Sequence, residues 1–178
     1  AGPGPFQRVI DLGTGTGRML ALFGERAAAV EGLDLSHQML QVARAKLSES
    51  GLSQARLRQG DATATPFETS SADVVIVHQV LHYVEDPERV LAEAARILVP
   101  GGRLIIVDFA QHDHEFMRTE LGHRRLGIRQ DNMENWAERA GLELARPVRF
   151  DPPQDLEKGI AVLIWAASKP VNRKEAAA

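Results

Sequence analysis

The 178-residue chain contains no cysteine. That excludes a disulfide framework, a thiolate metal site and a thiol nucleophile. It also lacks a surplus of charge of either sign, since 21 basic residues face 24 acidic ones for a net charge of -3. A domain this balanced carries no electrostatic footprint for nucleic acid or for an anionic membrane surface. No apolar run approaches the roughly 20 residues that span a bilayer, and no signal peptide opens the chain, so the expected compartment is the cytoplasm. No helical pattern precedes the first strand either, because residues 1–5 (AGPGP) alternate glycine with proline and deny regular structure. What remains is 44% hydrophobic and 25% charged, an ordinary globular composition at a length that suits one domain, expected over residues 1–170 with a fraying tail at 171–178.

Against those absences, glycine is concentrated where it matters. The stretch RVIDLGTGTGRMLAL, from Arg8 to Leu22, begins with the apolar run Val9-Ile10-Asp11-Leu12 expected of a buried parallel strand. Gly13, Gly15 and Gly17 follow at alternate positions, and an apolar helical pattern starts at Met19, Leu20, Leu22 and Phe23. A strand, a glycine-rich turn and a helix in that order let a ligand approach bare backbone at the carboxyl edge of a sheet. Asp11 stands before the glycines and Asp34 ends the next strand, about twenty residues on, the usual offset for an acid that takes ribose hydroxyls. An acid beside the turn favours a cationic ligand and repels phosphate.

The chain then alternates strands and helices. Residues 28–34 form a second strand. Ser36 caps a helix running to about Ser48, with Met39, Leu40, Val42, Ala43 and Leu47 inward, and residues 55–59 form an edge strand closed by Gly60-Asp61-Ala62. The β-branched run at 72–77 is a central strand ending at His78. Asp86 and Pro87 start a helix that Pro100-Gly101-Gly102 ends, and residues 103–109 form the fifth strand. Asp131 is expected to cap a helix stopping at Gly141. Two strands, at 142–150 and 159–168, close the chain as an antiparallel pair across Pro152-Pro153.

The glycine turn resembles the first motif of class I methyltransferases that use S-adenosylmethionine (SAM). The stretch LHYVEDPERVLAEAARILVPGGRLIIVDF is similar to that family's later motifs, and the whole is similar to its branch acting on small molecules in quinone biosynthesis. The resemblance implies an α/β fold: a doubly wound, Rossmann-like sheet of seven strands, mostly parallel with the last antiparallel. It implies SAM as cofactor, S-adenosylhomocysteine (SAH) as product and a small-molecule methyl acceptor. Carried over, the cofactor-binding set is Asp11, Gly13, Thr14, Gly15, Gly17, Asp34, Leu35, Met39, Asp61, Ala62 and His78. Asp61 would meet the adenine amino group and His78 the methionine end. No catalytic residue is assigned. His82 and Tyr83 would line the acceptor pocket or pack the loop, and Arg124-Arg125 could hold an acidic acceptor or a partner domain, with a surface pair the ordinary explanation.

His112, Asp113, His114, Glu115 and His123 could ligate a metal, but their spacing matches no dedicated zinc motif, and a solvated helix start is expected there. The late stretch DFAQHDHEFMRTELGHRRLG resembles the methyltransferase domain fused behind winged-helix repressors of the ArsR type. That resemblance implies an upstream DNA-binding domain, no direct nucleic-acid contact by this one and an open option of a homodimer. It also raises an alternative function, a SAM/SAH sensor without turnover. The arsenite-methylating relatives rely on cysteine thiolates, which this chain lacks.

Overall fold

The computed structural model describes residues 2, 4–153 and 159–171; of the expected tail, residues 172–178 lie outside that set. Strands β1 (Phe6–Leu12), β2 (Ala27–Asp34), β3 (Arg56–Gln59), β4 (Ala72–His78), β5 (Leu98–Phe109), β6 (Glu143–Leu144), β7 (Val148–Phe150) and β8 (Val162–Ser168) join one sheet. Helices α1 (Arg18–Gly24), α2 (His37–Glu49), α3 (Pro87–Ile97), α4 (Phe116–Leu121) and α5 (Gln130–Arg139) connect them.

The strand order is β3-β2-β1-β4-β5-β8-β6, parallel from β3 to β5, with β8 antiparallel between β5 and the short β6 and β7. The order reverses at β1, whose neighbours are β2 and β4. That switch point opens the crevice in which α/β sheets of this kind bind ligands. Alternation along the strands sorts the core onto two faces. Ile10, Leu12, Val75, Val77, Leu104 and Ile106 belong to the cluster under α3 and α5, while Val9, Val74 and Ile76 belong to the cluster under α1 and α2. Helix α3 alone buries Val90, Leu91, Ala94, Ala95 and Ile97, and each large aliphatic side chain contributes roughly 1.5–3 kcal/mol.

The expected doubly wound sheet is observed, with four local differences. The single strand expected at 142–150 is interrupted at Ala145-Arg146-Pro147, giving β6 and β7 and hence eight strands among the described residues. Pro100-Gly101-Gly102 does not separate α3 from the fifth strand; β5 begins at Leu98 and runs through it. Pro100 biases the preceding residue toward extended backbone, and Gly101 N–H to Lys169 C=O and Lys169 N–H to Gly102 C=O stitch the segment to the chain after β8. Asp131 does not cap α5: Arg129 holds the cap position, and the Asp131 carboxylate pairs with the Arg129 guanidinium at 2.8 Å. Met39 and Val42 are exposed rather than inward, so α2 buries Leu40, Ala43 and Leu47.

Candidate active site

A cavity of about 950 Å³ opens at the carboxyl ends of β1, β2, β3 and β4. Its floor is the glycine turn. The N–H groups of Gly13 and Thr14 both donate to the Leu33 carbonyl, at 2.7 and 2.9 Å, which bends the chain away from β1. Gly13 has a left-handed φ of 79°, and a Cβ there would stand 2.3 Å from Val80 Cγ2. Gly15 is also left-handed, but a Cβ on it would meet nothing within 4 Å. Glycine at 13 therefore serves a close approach within the protein, and at 15 it leaves backbone bare toward the cavity.

Asp34 holds this turn from the neighbouring strand. Its Oδ2 accepts the Gly15 N–H at 2.7 Å and its Oδ1 accepts the Ser36 N–H at 2.8 Å. Each carboxylate oxygen keeps a further lone pair. Asp11 differs: it is 1% exposed, and its Oδ1 has no hydrogen-bond partner. Burial pushes its pKa up to about 7, with the Asp34 charge adding to the effect and the Thr14 hydroxyl offsetting part of it. Thr14 Oγ1 is itself left without a well-formed hydrogen bond. Asp61 closes a turn, its Oδ1 accepting from the Thr63 N–H and hydroxyl, both at 2.8 Å, and it also lines the cavity. His78 is at the tip of β4, where burial and the nearby Arg18 lower its pKa.

The structure brings together Asp11, Gly13, Thr14, Gly15, Asp34, Leu35, Met39, Asp61, Ala62 and His78 around one cavity. Gly17 is the exception. It caps α1 with φ 79° and packs behind the turn, where a Cβ would press on Leu47 at 3.1 Å. Tyr83 and Arg124, both candidates for the acceptor side in the sequence, line the opposite side with Gln79, Val80 and Arg89, which carried no signal of that role. Gln79 is one of two non-glycine residues with positive φ among the described residues, 58°, the kind of backbone strain that collects at functional sites.

That opposite side, the loop from Gln79 to Asp86, is held from behind. His82 is 1% exposed and does not reach the cavity; its Nδ1–H donates to Asp108 Oδ1 at 2.6 Å. Asp108 also accepts the N–H groups of Leu81 at 2.9 Å and Phe109 at 2.8 Å. The His82 ring packs between Tyr83 and His123, with centroids 4.2 and 4.1 Å away. The segment after α4 straps the loop down. The N–H groups of Arg124 and Arg125 donate to the His82 carbonyl, and the Arg125 guanidinium donates to the carbonyls of Leu81, Val84 and Glu85. Arg124 and Arg125 are thus no simple surface pair, because one faces the cavity and the other clamps backbone. The start of α4 is solvated as expected at Asp113 and Glu115, which are exposed, but His123 beyond the helix is 5% exposed, and burial lowers the pKa of both His112 and His123.

An acid-lined floor with bare backbone suits a ligand that is cationic and rich in hydroxyl and N–H donors. A site of this volume is at the upper end of the ~300–1,000 Å³ typical of small-molecule sites, enough for a cofactor beside a second molecule. Residues 10–106 match the family model described as a methyltransferase domain. The chain is 41% identical over 107 residues to a phosphatidylethanolamine N-methyltransferase from Cereibacter sphaeroides, covering 60% of this chain and 52% of that protein. It is 30% identical over 168 residues to the ubiquinone/menaquinone biosynthesis C-methyltransferase UbiE from Shewanella sediminis, covering 91% of this chain and 67% of the relative. It thus spans about half of one relative and two thirds of the other. The fold is shared with the crystal structure of a protein from Bacillus halodurans described as a putative methyltransferase, at TM-score 0.85 and 22% identity over 96% of this chain and 95% of that one.

Proposed function

This chain belongs to the methyltransferase domain family, and from that premise we propose that it binds SAM in the 950 Å³ cavity and directs its methyl group to a small-molecule acceptor. One observation carries the assignment: Asp11 offers a buried, unpartnered carboxylate oxygen beside backbone left bare by Gly15. A sealed acceptor of that kind costs about 1–3 kcal/mol unless a ligand's N–H groups or positive charge reach it.

The residues present fit the cofactor. Asp11, Gly13, Thr14, Gly15 and His78 would hold its amino-acid end, the free lone pairs of Asp34 its ribose hydroxyls, and Asp61 and Ala62 its adenine, with Leu35 and Met39 flanking. Gly17 acts one layer back by setting the start of α1. When bound, SAM supplies a methyl group on a positively charged sulfur, already a good leaving group. The chain's part is then to align the acceptor in line with that methyl and to exclude water, which can supply most of the rate effect. Tyr83, Val80 and Val84 form the wall against which the acceptor is aligned. The two relatives are named for N- and C-methylation, so likeness does not choose the acceptor atom.

Calorimetry with SAM, SAH and NAD tests the cofactor: binding of the first two without the third is expected, and NAD binding alone overturns it. Incubation with methyl-labelled SAM and cell extract tests transfer. Label appearing on a small molecule is expected, whereas SAM binding with no label moved favours the sensor alternative. An upstream winged-helix domain, a cytoplasmic setting and a single domain over 1–170 are part of the same proposal, and sequencing the full gene tests the first.

A further inference from the structure

The charges lining the cavity are unevenly divided. Asp11, Asp34 and Asp61 lie on the floor against one cation, Arg18 at the start of α1, whereas Arg89 and Arg124 stand on the opposite rim with Glu85, Asp86 and the single tyrosine of the chain, Tyr83. The acids closest to those arginines in sequence are already engaged or turned to water. Asp86 accepts the Arg89 N–H as cap of α3, and Glu88 pairs with Arg139 at 3.2 Å. Glu85 approaches Arg124 only to 3.9 Å, and its side chain is 84% exposed. Among the described residues Arg89 has no ion pair. Arg124 is not placed by chance, for its own N–H is fixed to the His82 carbonyl at 2.9 Å and its neighbour Arg125 clamps three carbonyls of the same loop.

We infer that the methyl acceptor is an anion, a small molecule whose carboxylate or phosphate is taken by Arg89 and Arg124 while its apolar body lies against Tyr83, Val80 and Val84. This deepens the SAM assignment and rests on it for the word acceptor. Guanidinium groups present paired donors that match carboxylate and phosphate oxygens. The surplus of acid on the floor also orients the two ligands, since it favours the cationic one and repels an anion toward the arginines of the rim.

The test is a calorimetric titration of phenyl phosphate, benzoate and benzyl alcohol, at low salt, into the protein with and without saturating SAH. Phenyl phosphate or benzoate is expected to bind the SAH-loaded protein, the tighter of the two naming the anion, while benzyl alcohol does not bind. Arg89→Gln and Arg124→Gln are each expected to weaken that binding about fivefold, as exposed charge pairs do, with SAH affinity unchanged. Absence of binding by both anions, equal binding of benzyl alcohol, or variants indistinguishable from the wild type each overturns the inference. Should SAH fail to bind while the arginine-dependent anion binding persists, the cofactor assignment falls and the anion rim stands.

Discussion

On the floor of the cavity Asp11 keeps a carboxylate oxygen with no partner; behind the wall, the equally buried Asp108 accepts from His82, Leu81 and Phe109. Both acids are sealed from water, and the protein has treated them oppositely. An acid whose lone pairs are filled internally is structural, and its removal should be felt in stability. One left short is held open for a ligand, and its removal should be felt in binding. The strap's imidazoles blur the division, because His112 Nε2 and His123 Nδ1 are buried without partners although they face no part of the cavity.

Asp108→Ala is expected to break this contrast most severely. It strands three donors at once, so unfolding in urea should show a loss of about 3–5 kcal/mol. Stability equal to wild type would remove Asp108 from any structural role. Gly13→Val forces a left-handed backbone on a β-branched residue and drives its Cβ into Val80; about 2–4 kcal/mol of stability should go, with SAM affinity lost even in the fraction that folds. Asp34→Ala should leave the fold standing and weaken SAM by about 1–3 kcal/mol, read by calorimetry. An unchanged Kd would end the ribose assignment.

A smaller and subtler effect is expected from pH. Asp11 holds its proton more tightly folded than unfolded, with a pKa of about 7 against 3.8. Its contribution to ligand-free stability is therefore complete below 3.8 and lost as pH rises through about 7. A cationic ligand needs the ionised form, so SAM should bind about tenfold more tightly at pH 8 than at pH 6, releasing a proton detectable in buffers of different ionisation enthalpy. Asp11→Asn should abolish that slope. His112 and His123 run the other way: burial holds them below the free-imidazole 6.5, so what they contribute is complete above 6.5 and lost as pH falls below it. His123→Phe should flatten the acid side of the Tm profile and leave the SAM slope alone.

The floor was legible in the sequence because its determinants are local. The acids at 11, 34 and 61 stand at or just beyond the ends of β1, β2 and β3, the alternate glycines follow β1 directly, and strand ends of a parallel sheet converge. Only Gly17 was misplaced, since a glycine that caps a helix and one that faces a ligand look alike in a string. Of the wall, Tyr83 was legible and the contacts that hold it were not. The contact of His82 with Asp108 spans 26 residues and that of Arg125 with Leu81 spans 44; neither has a period or spacing to betray it. The exposed Met39 failed for a related reason. Helical periodicity marks an apolar stripe but cannot say that part of the stripe borders a cavity instead of the core.

The Arg125 clamp bears on how this domain could be recombined with its relatives. The family model ends at residue 106, which makes the stretch after Phe109 look like an exchangeable cassette. A chimera joined there would inherit the Gln79–Asp86 loop without the guanidinium that caps its carbonyls. Crossovers that keep residues 79–86 and 108–126 from one parent should give folded hybrids, and those that divide them should not.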